Sequence, residues 1–477
     1  MIRRTLHRPL VALVAMLAAA ALVVSGAAGP AAADAMSTPP SAAARTSIDG
    51  VWRTDGYGTV LAIADGHARA FETTTTSCVE GDPAEQSGSV GQDGTVRFVL
   101  GAQGFTVRPS PARGRAVLHV DGSAGDRTLL RLRELPAACS QPAPTGPLAT
   151  FDLFWTTYAE NYPFFAVHDV DWQAVRDEYR PRVRPDLSDD ELFDVLVEMI
   201  TPLHDAHTGI RAGEHRAYIG HRPGTEFPSP EQNERVQAFV ERRDLGKPLH
   251  LFGNDRIGYA DLPGRLGYLR VIAFSAYTER GDFASDSAEL DRILDEILTD
   301  ARLSGPQALR GLVVDLRING GGHDRLALQL ASRLSGRPHF AYTTRARIDP
   351  DDPSRFTRAQ PIWVRPDSPA YTGPVVLLTG GSTISAGETF TQAMFERRPR
   401  PVRIGENTQG VFSDTMIRTL PNGWQFILPN EEFRTRSGHS FDGVGIAPHL
   451  RTPVFSEEEF AHDRDSAFDR AVALLSR

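Results

Sequence analysis

The spacing of apolar and polar residues first predicts a β-rich region. Between residues 48 and 135, short runs of apolar and β-branched residues are separated by Gly, Asp and Pro clusters, a pattern typical of antiparallel strands. Six runs are predicted as strands: 51–52, 59–63, 68–73, 95–100, 115–120 and 128–132. We therefore expect a small all-β domain over residues 48–138 and a proline-rich linker over 139–147.

The pattern becomes helical after the linker. One set of apolar residues shares a helical face: Phe151, Phe154, Trp155 and Tyr158. Ser188 stands three residues before Glu191 and ahead of an apolar run, which is a capping box and predicts a helix start. That helix should end near Pro202. We expect a helical cap region over 148–215 and a variable connection over 216–256.

From residue 257 onwards, strand and helix patterns alternate. Strands are predicted at 266–272, 312–316 and 374–378, and helices at 288–300, 326–334 and from about Ser385. The second and third strands have apolar residues at consecutive positions, which indicates burial on both faces. The alternation predicts an α/β core over 257–477.

The first 35 residues have the pattern of a secretory signal peptide. Three arginines precede an apolar run from Leu10 to Val24, and small residues lead to an Ala-rich stretch at 31–35. The run is shorter than the roughly 20 residues that span a bilayer. We therefore expect cleavage, a flexible leader over 36–47, and a secreted or extracytoplasmic protein with no membrane span. An uncleaved membrane anchor is the alternative.

Composition narrows the classes of partner. The formal net charge of -9, without a Lys/Arg-rich run, argues against nucleic acid and anionic membranes. Cys78 and Cys139 would both be exported, so a disulfide is permitted, although the sequence does not give the distance between them. No CxxC and no Cys/His spacing suggests structural zinc.

A serine follows the strand predicted at 374–378. It lies in the stretch TGGSTISAGE (379–388), where Ser385 opens a predicted helix. Unpaired backbone N–H groups and the positive end of the helix dipole favour an anion at that position. The placement suits a nucleophile beside a developing oxyanion. Capping of the helix by the Ser385 hydroxyl is the alternative.

Groups that could assist such a serine occur in three other segments. The stretch DLRINGGG (315–322) ends a strand in a glycine turn, whose N–H groups can form half of an oxyanion hole. His204 and His207 lie on the loop PLHDAHTG (202–209), and either could act as a general base. Asp442 lies beside a glycine-rich bend, where a carboxylate can orient an imidazole. The alternatives are a flexible turn, an exposed loop histidine and a solvated turn.

In their order along the chain, these segments resemble the C-terminal processing (tail-specific) peptidases, and most closely the tricorn-core branch. The similar stretches are His204–Thr208, Asp315–Gly322, Thr383–Glu388, Gly405–Gly410 and Gly443–Pro448. The resemblance spans about 150 to 450 and does not include the β domain. It implies a ClpP/crotonase-like α/β core with a helical cap.

The resemblance also implies roles for individual residues. Ser385 would be the nucleophile and His207 the general base, with His204 as the alternative base, and Asp442 would be the orienting acid. The oxyanion donors would be the N–H of Ala386 and of one glycine in the turn 320–322. Among those glycines Gly321 is favoured slightly. This chemistry requires no metal and no cofactor.

Several positions depart from the family pattern. Some members use a lysine shortly after the serine, but the chain's one lysine, Lys247, lies far upstream, which favours a Ser–His–Asp arrangement. Ala206 stands where tricorn cores have serine, Asp442 replaces the usual glutamate, and His449 replaces the usual aspartate. The stretch 210–257 has too little room for the PDZ domain that many relatives carry.

The predicted function is that of a secreted serine endopeptidase, or carboxy-terminal processing-type hydrolase, acting on peptides or proteins. Three alternatives remain at this point. One is a non-catalytic module on the same fold that binds an apolar ligand or a protein, because a fold does not fix a function. The second is an esterase or amidase for small molecules, and the third is a cell-surface interaction protein whose β domain binds a glycan or a protein. The sequence does not determine the oligomeric state.

Overall fold

The computed structural model describes residues 48–477 apart from residue 143. The predicted signal peptide (1–35) and leader (36–47) lie outside the described residues. Within the described part of the chain, none of the helices combines the length and the apolar character that crossing a membrane requires.

Eight antiparallel strands form a closed barrel at the start of the described chain. They are β1 (Gly50–Thr54), β2 (Thr59–Ala64), β3 (His67–Thr73), β4 (Cys78–Gln86), β5 (Val96–Leu100), β6 (Gln103–Pro109), β7 (Arg115–Val120) and β8 (Arg127–Leu132). Each strand pairs with the next, and β8 pairs with β1. Side chains such as Trp52, Phe98 and Leu129 fill the interior. The barrel confirms the predicted all-β region, including its six predicted strands.

A disulfide ties the barrel to the segment that follows it. Cys78 begins β4, and Cys139 lies in the short turn Ala137–Ser140, with a Cα–Cα distance of 5.0 Å. That distance is within the range a disulfide requires. The structure therefore pairs the two cysteines, which the sequence left open.

The next layer is helical and packs on a small sheet. The helices are α1 (Pro147–Asn161), α2 (Trp172–Tyr179) and α3 (Asp189–Ile200). The sheet consists of β9 (Gly209–Ala212), β10 (Arg216–Ile219), β21 (Thr415–Thr419) and β22 (Gln425–Pro429), in the order β10-β9-β22-β21. The predicted capping box is confirmed, since Ser188 and Glu191 exchange backbone-to-side-chain hydrogen bonds of 3.0 and 3.4 Å.

The connection that follows contains α4 (Pro230–Phe239), a wide helical turn (Val240–Leu245) and β11 (His250–Phe252). The chain then enters a seven-stranded mixed sheet that begins with β11. Its further strands are β12 (Ile257–Leu262), β13 (Leu266–Val271), β14 (Gly311–Asp315), β18 (Val375–Thr379), β20 (Val402–Gly405) and β24 (Leu450–Arg451). The strand order is β11-β12-β13-β14-β18-β20-β24. The last five strands in this order, from β13 to β24, run parallel.

Helices cover both faces of this sheet. They are α5 (Phe283–Ile297), α6 (Asp300–Leu303), α7 (Asp324–Arg333), α8 (Ala386–Ala393), α9 (Glu457–Ala461) and α10 (Ser466–Leu475). Val314 of β14 packs in the cluster that includes α5, α7 and α8, whereas its neighbour Val313 packs in the cluster that includes α10. Because successive strand residues face opposite sides, every residue of β14 and β18 is buried, as predicted. The predicted α/β core is confirmed.

A two-stranded pairing and a three-stranded sheet complete the core. β15 (Ile318–Asn319) lies parallel to β19 (Ser382–Thr383), and β16 (His339–Ala346) lies between β17 (Gln360–Val364) and β23 (Glu431–Arg434). The first pairing continues from the carboxyl ends of the neighbouring strands β14 and β18. It therefore brings the glycine turn 320–322 and Ser385 to the same edge of the sheet.

Candidate active site

Ser385 occupies a strained turn between β19 and α8. Its backbone has φ 54° and ψ -117°, a conformation that residues with a side chain rarely adopt. Between Ser382 and Met394 it is the one residue that is not fully buried. Strain held at a partly exposed serine supports a functional role for this position.

The glycine turn lies directly against the serine. A Cβ placed on Gly321, where φ is 88°, would lie 2.7 Å from Cβ and 3.3 Å from Oγ of Ser385. The N–H of Gly320 donates to Ile272 O and that of Gly321 to Asn319 Oδ1, both at 3.0 Å. Among the described residues, no acceptor binds the N–H of the third glycine, Gly322, or that of Ala386.

His207 is a buried residue on the loop after α3. Its backbone N–H donates to Asp205 Oδ1 at 2.7 Å, and Tyr162 Oη donates to Asp205 Oδ2 at 2.9 Å, so one carboxylate anchors the loop. Burial lowers the pKa of His207 to about 4, although a hydrogen-bonding contact with the main chain of Ser413 opposes the shift. Nδ1 of the ring has no hydrogen-bond partner within 48–477. The imidazole is therefore neutral near pH 7.

Asp442 is buried close to two other carboxyl groups. One carboxylate oxygen accepts the N–H of Phe412 at 3.3 Å, and the other accepts the hydroxyl of Ser440. Burial raises the pKa of Asp442 well above its usual value, and the charges of Asp205 and Glu388 raise it further. In the described conformation Asp442 does not bond to the His207 ring.

One segment, 410–413, contacts all three of these residues. Ser385 N–H donates to Val411 O at 3.2 Å. Phe412 N–H donates to Asp442, and the main chain of Ser413 contacts the ring of His207. The three segments that contain Ser385, Asp442 and His207 are distant in sequence, and each contacts one of the consecutive residues 411–413.

Apolar packing joins the same segments. Ala206, Ile384 and Val411 form a small buried cluster, and two of them immediately precede His207 and Ser385. Alanine at 206, which departs from the serine of tricorn cores, is thus an apolar contact between the histidine loop and the serine turn.

Glu388 is a site residue that the sequence analysis did not assign. Its buried carboxylate accepts N–H groups from Ser385, Gly410 and Val411 at 3.2, 2.7 and 2.9 Å. Burial raises its pKa to about 7. The signal was present in the sequence, because an acid three residues after a helix-capping serine is the capping-box pattern.

The alternative base, His204, differs from His207 in its surroundings. His204 is exposed and has a left-handed backbone with φ 47°. Its charge acts on His168, a further histidine that the sequence analysis missed, whose pKa burial lowers to about 4. A Cβ on Gly443, next to Asp442, would lie 3.4 Å from His168 Cε1. A histidine in a loop this far upstream gave no signal in the sequence.

Lys247 and His449, two positions that differ from the family pattern, each form a hydrogen bond with the main chain. Lys247 Nζ donates to the main-chain oxygen of Asp261, a residue of β12, at 2.6 Å. His449 Nδ1 accepts the backbone N–H of Arg403 at 3.0 Å. In the described ranges, no group of three or more His, Cys, Asp and Glu side chains is arranged to hold a metal ion.

One curated protein is similar to this chain in sequence. Carboxyl-terminal-processing peptidase 3, chloroplastic, of Arabidopsis thaliana is 26% identical over 216 residues, which cover 44% of this chain and 37% of that protein. The chain thus matches little more than a third of the length of this curated relative.

Solved structures show similarity of fold. A candidate peptidase from Parabacteroides merdae superposes with a TM-score of 0.58 at 24% identity, over 70% of this chain and 97% of that one. Mature CPAF superposes with a TM-score of 0.50 at 12% identity, over 69% and 97% of the two chains. At these identities the likeness concerns the fold alone.

Two family descriptions match the chain itself. Residues 265–452 match "Peptidase family S41", and residues 148–201 match "Tricorn protease C1 domain". The α/β core and these matches make the chain similar to the serine peptidase class of hydrolases. Over residues 265–452 the chain is therefore similar to peptidase family S41, which agrees with the resemblance to the C-terminal processing peptidases that its motifs indicate.

Proposed function

We propose that this protein is a secreted serine endopeptidase, or carboxy-terminal processing-type hydrolase, that cleaves peptides or proteins by acyl transfer. The observation that carries the proposal is the contact of residues 411–413 with Ser385, Asp442 and His207. A nucleophile, a base and an orienting acid gathered around one segment are the groups that acyl transfer requires.

In the proposed mechanism Ser385 Oγ attacks the carbonyl carbon of the scissile peptide bond. His207 takes the hydroxyl proton, which it can do because its low pKa keeps the ring neutral. The same proton then passes to the leaving amine, and water releases the acyl group by the reverse sequence. Asp442 orients the ring by exchanging its hydrogen bond with Ser440 for one with Nδ1 of His207.

The oxyanion is proposed to bind two backbone N–H groups. Ala386 supplies one, at the start of α8. From the turn 320–322 we now favour Gly322, because the N–H groups of Gly320 and Gly321 already have acceptors. One such donor typically stabilises the transition state by about 3–4 kcal/mol. Gly321 instead allows the close approach of the turn to the serine.

We further propose that the core is ClpP/crotonase-like and that the protein is secreted. A ClpP/crotonase-like core is supported by the parallel run from β13 to β24 with helices on both faces. Secretion is supported by the signal-peptide pattern and by the Cys78–Cys139 disulfide, because such bonds persist in oxidising compartments. The domain boundaries given from the sequence stay predictions.

The proposal is tested by labelling the mature chain with a fluorophosphonate probe and assaying cleavage of a protein substrate. Ser385→Ala should abolish both labelling and turnover while leaving the thermal melt intact. Ser382→Ala is the matched control, because its hydroxyl only donates to Glu226 O at 2.8 Å. It should label like the wild type.

The alternatives give different results in this experiment. A non-catalytic binding module would not label at all. An esterase or amidase would label at Ser385 but turn over small esters or amides and no peptide. Unchanged hydrolysis by Ser385→Ala would refute the assignment of the nucleophile.

A further inference from the structure

A cavity of about 300 Å³ lies at the opposite end of α8 from Ser385. It is bordered by the residues that follow α8 and by strands β18 and β20. Its lining combines an apolar part with a basic part: Met394, Phe395 and Pro401, and Arg400, Arg403 and His449. This volume is at the lower end of the range for small-ligand sites.

Arg403 is held in place with its terminal nitrogens unused. Its Nε donates to Ala447 O at 3.1 Å, and its guanidinium lies over the Phe395 ring, 4.6 Å from the centroid. No protein partner binds either terminal nitrogen in the portion of the chain that the structure covers. A guanidinium fixed in this way loses little conformational entropy when it binds an oxyanion.

Arg400, the second arginine of the lining, forms no ion pair among the described residues either. Arg400 is exposed, and neither it nor Arg403 has a carboxylate within ion-pair distance among the described residues. The acidic lining residue Glu396 is already bound by Arg436 through two hydrogen bonds of 2.8 Å. The cavity therefore has an excess of positive charge on a chain whose net charge is -9.

His449 contributes a donor without a charge. Its Nδ1 accepts the backbone N–H of Arg403 at 3.0 Å, so the neutral ring carries its proton on Nε2. Burial and the charge of Arg403 both lower the pKa of His449, which favours that neutral form. Aspartate, the usual residue here in the family, would instead place a negative charge beside Arg403.

We infer that this cavity is a binding site for an organic carboxylate with an apolar body. The Arg403 fork and the Nε2–H of His449 would bind the carboxylate, and Met394, Phe395 and Pro401 would cover the hydrocarbon part. A monoanion with a hydrocarbon body matches this lining better than inorganic phosphate, because phosphate would leave the apolar surface unused.

Two sources could supply such a ligand: a free small carboxylate, or the C-terminal residue of a peptide. The second source rests on the proposed peptidase function, whereas the binding site does not. Binding is therefore measured on the full mature chain carrying Ser385→Ala, so that a failure of the hydrolase proposal leaves the measurement intact.

Isothermal titration calorimetry with four probes tests the inference: N-acetyl-leucine, its amide, a hexapeptide with a free C-terminal leucine, and inorganic phosphate. At least one free carboxylate should bind, and the amide should bind at least tenfold more weakly. Equal affinity for N-acetyl-leucine and the hexapeptide indicates that the terminal residue suffices, and binding of the peptide alone identifies the peptide tail. Equal binding of acid and amide, tight binding of phosphate, or no binding would overturn the inference.

Arginine variants locate the site. Arg403→Gln should weaken carboxylate binding at least tenfold, and Arg310→Gln, at an exposed arginine outside the cavity, should leave it unchanged. If Arg403→Gln does not fold, Arg400→Gln replaces it, because Arg400 is exposed and its loss should weaken binding about threefold without unfolding. Wild-type affinity in the folded cavity variant would place the ligand elsewhere.

Discussion

At the scale of single residues, the site depends on close approach and on burial. Ser385 has a strained backbone, Gly321 lies against it, and the His207 side chain is buried. A substitution at the glycine turn therefore tests the close approach, and the pH dependence of activity tests the burial of the imidazole.

Gly321→Ala is expected to reduce turnover about 100-fold or more. The added Cβ would lie 2.7 Å from Cβ of Ser385, so the serine or the glycine turn must move, and misplacement by about 1 Å can cost this much rate. Steady-state kinetics and a thermal melt measure the effect. Gly305→Ala is the control: Gly305 also has a positive φ, 76°, but no atom lies within 4 Å of the new Cβ. Equal kcat in both variants would contradict the proposed geometry.

The pH dependence of kcat/KM should report the buried imidazole. Only neutral His207 can accept the serine proton, so activity falls as the pH drops through its pKa in the free enzyme. Burial lowers that pKa to about 4, and we therefore expect the acidic limb near pH 4 rather than near the usual 6.5.

Histidine variants distinguish the two candidate bases. His207→Gln should abolish activity, and His204→Gln, at the exposed position, should leave the acidic limb in place. Loss of activity in His204→Gln together with retained activity in His207→Gln would assign the base to His204 instead.

At the scale of elements, a buried ionic network fastens the strand that leads to the glycine turn. Arg317, which follows β14, bonds to Asp315 and to Asp465 at 2.7 Å, and all three side chains are almost fully buried. Asp465 also caps α10, where it accepts the N–H of Phe468. The network therefore joins the central sheet to the last helix.

Removing the buried Arg317 side chain should lower the free energy of unfolding far more than removing the exposed Arg292 side chain. Arg317→Ala leaves two buried carboxylates without their cation, and we expect the free energy of unfolding to fall by about 3–5 kcal/mol. Arg292→Ala breaks exposed pairs with Glu289 and Glu296 and should cost about 1 kcal/mol or less. Denaturant unfolding of both variants checks this, and similar losses would show that the network is not a principal support.

At the scale of the whole molecule, one loop of the barrel contacts residues adjacent to the candidate active site. Ser123, between β7 and β8, donates its hydroxyl to Asp414, the residue after the segment 410–413. In the same loop, Gly122 O accepts the N–H of Arg325 at 3.0 Å, near the end of the glycine turn. The barrel is thus in contact with both halves of the site.

Ser123→Ala should therefore lower kcat by up to about tenfold with little change in KM, because one hydrogen bond that positions the segment is lost. Thr75→Ala is the control. Its hydroxyl makes a similar contact between the barrel and Glu160 of α1, away from the site, and it should leave kcat unchanged. Equal kinetics for both variants would show that the loop does not position the site.

Much of the fold was predictable because the spacing of apolar residues along the chain indicates which residues are buried. The buried strands β14 and β18 and the Ser188 capping box were recognisable from neighbouring residues alone. β4 was missed because its residues are mostly exposed and include Gly and Pro. The first turn of α5 was missed because it lacks an apolar face, and the helix begins instead where Asp282 accepts the N–H of Ser285.

The sequence by itself determined the kinds of element, the position of Ser385 at a helix start and the family motifs. Only the tertiary structure decided which distant segments meet: the closure of β8 on β1, the pairing of the cysteines, and the contacts of 411–413 with the three site residues. The physical reason is that periodicity records whether a residue is buried, whereas the partner against which it is buried depends on the path of the whole chain.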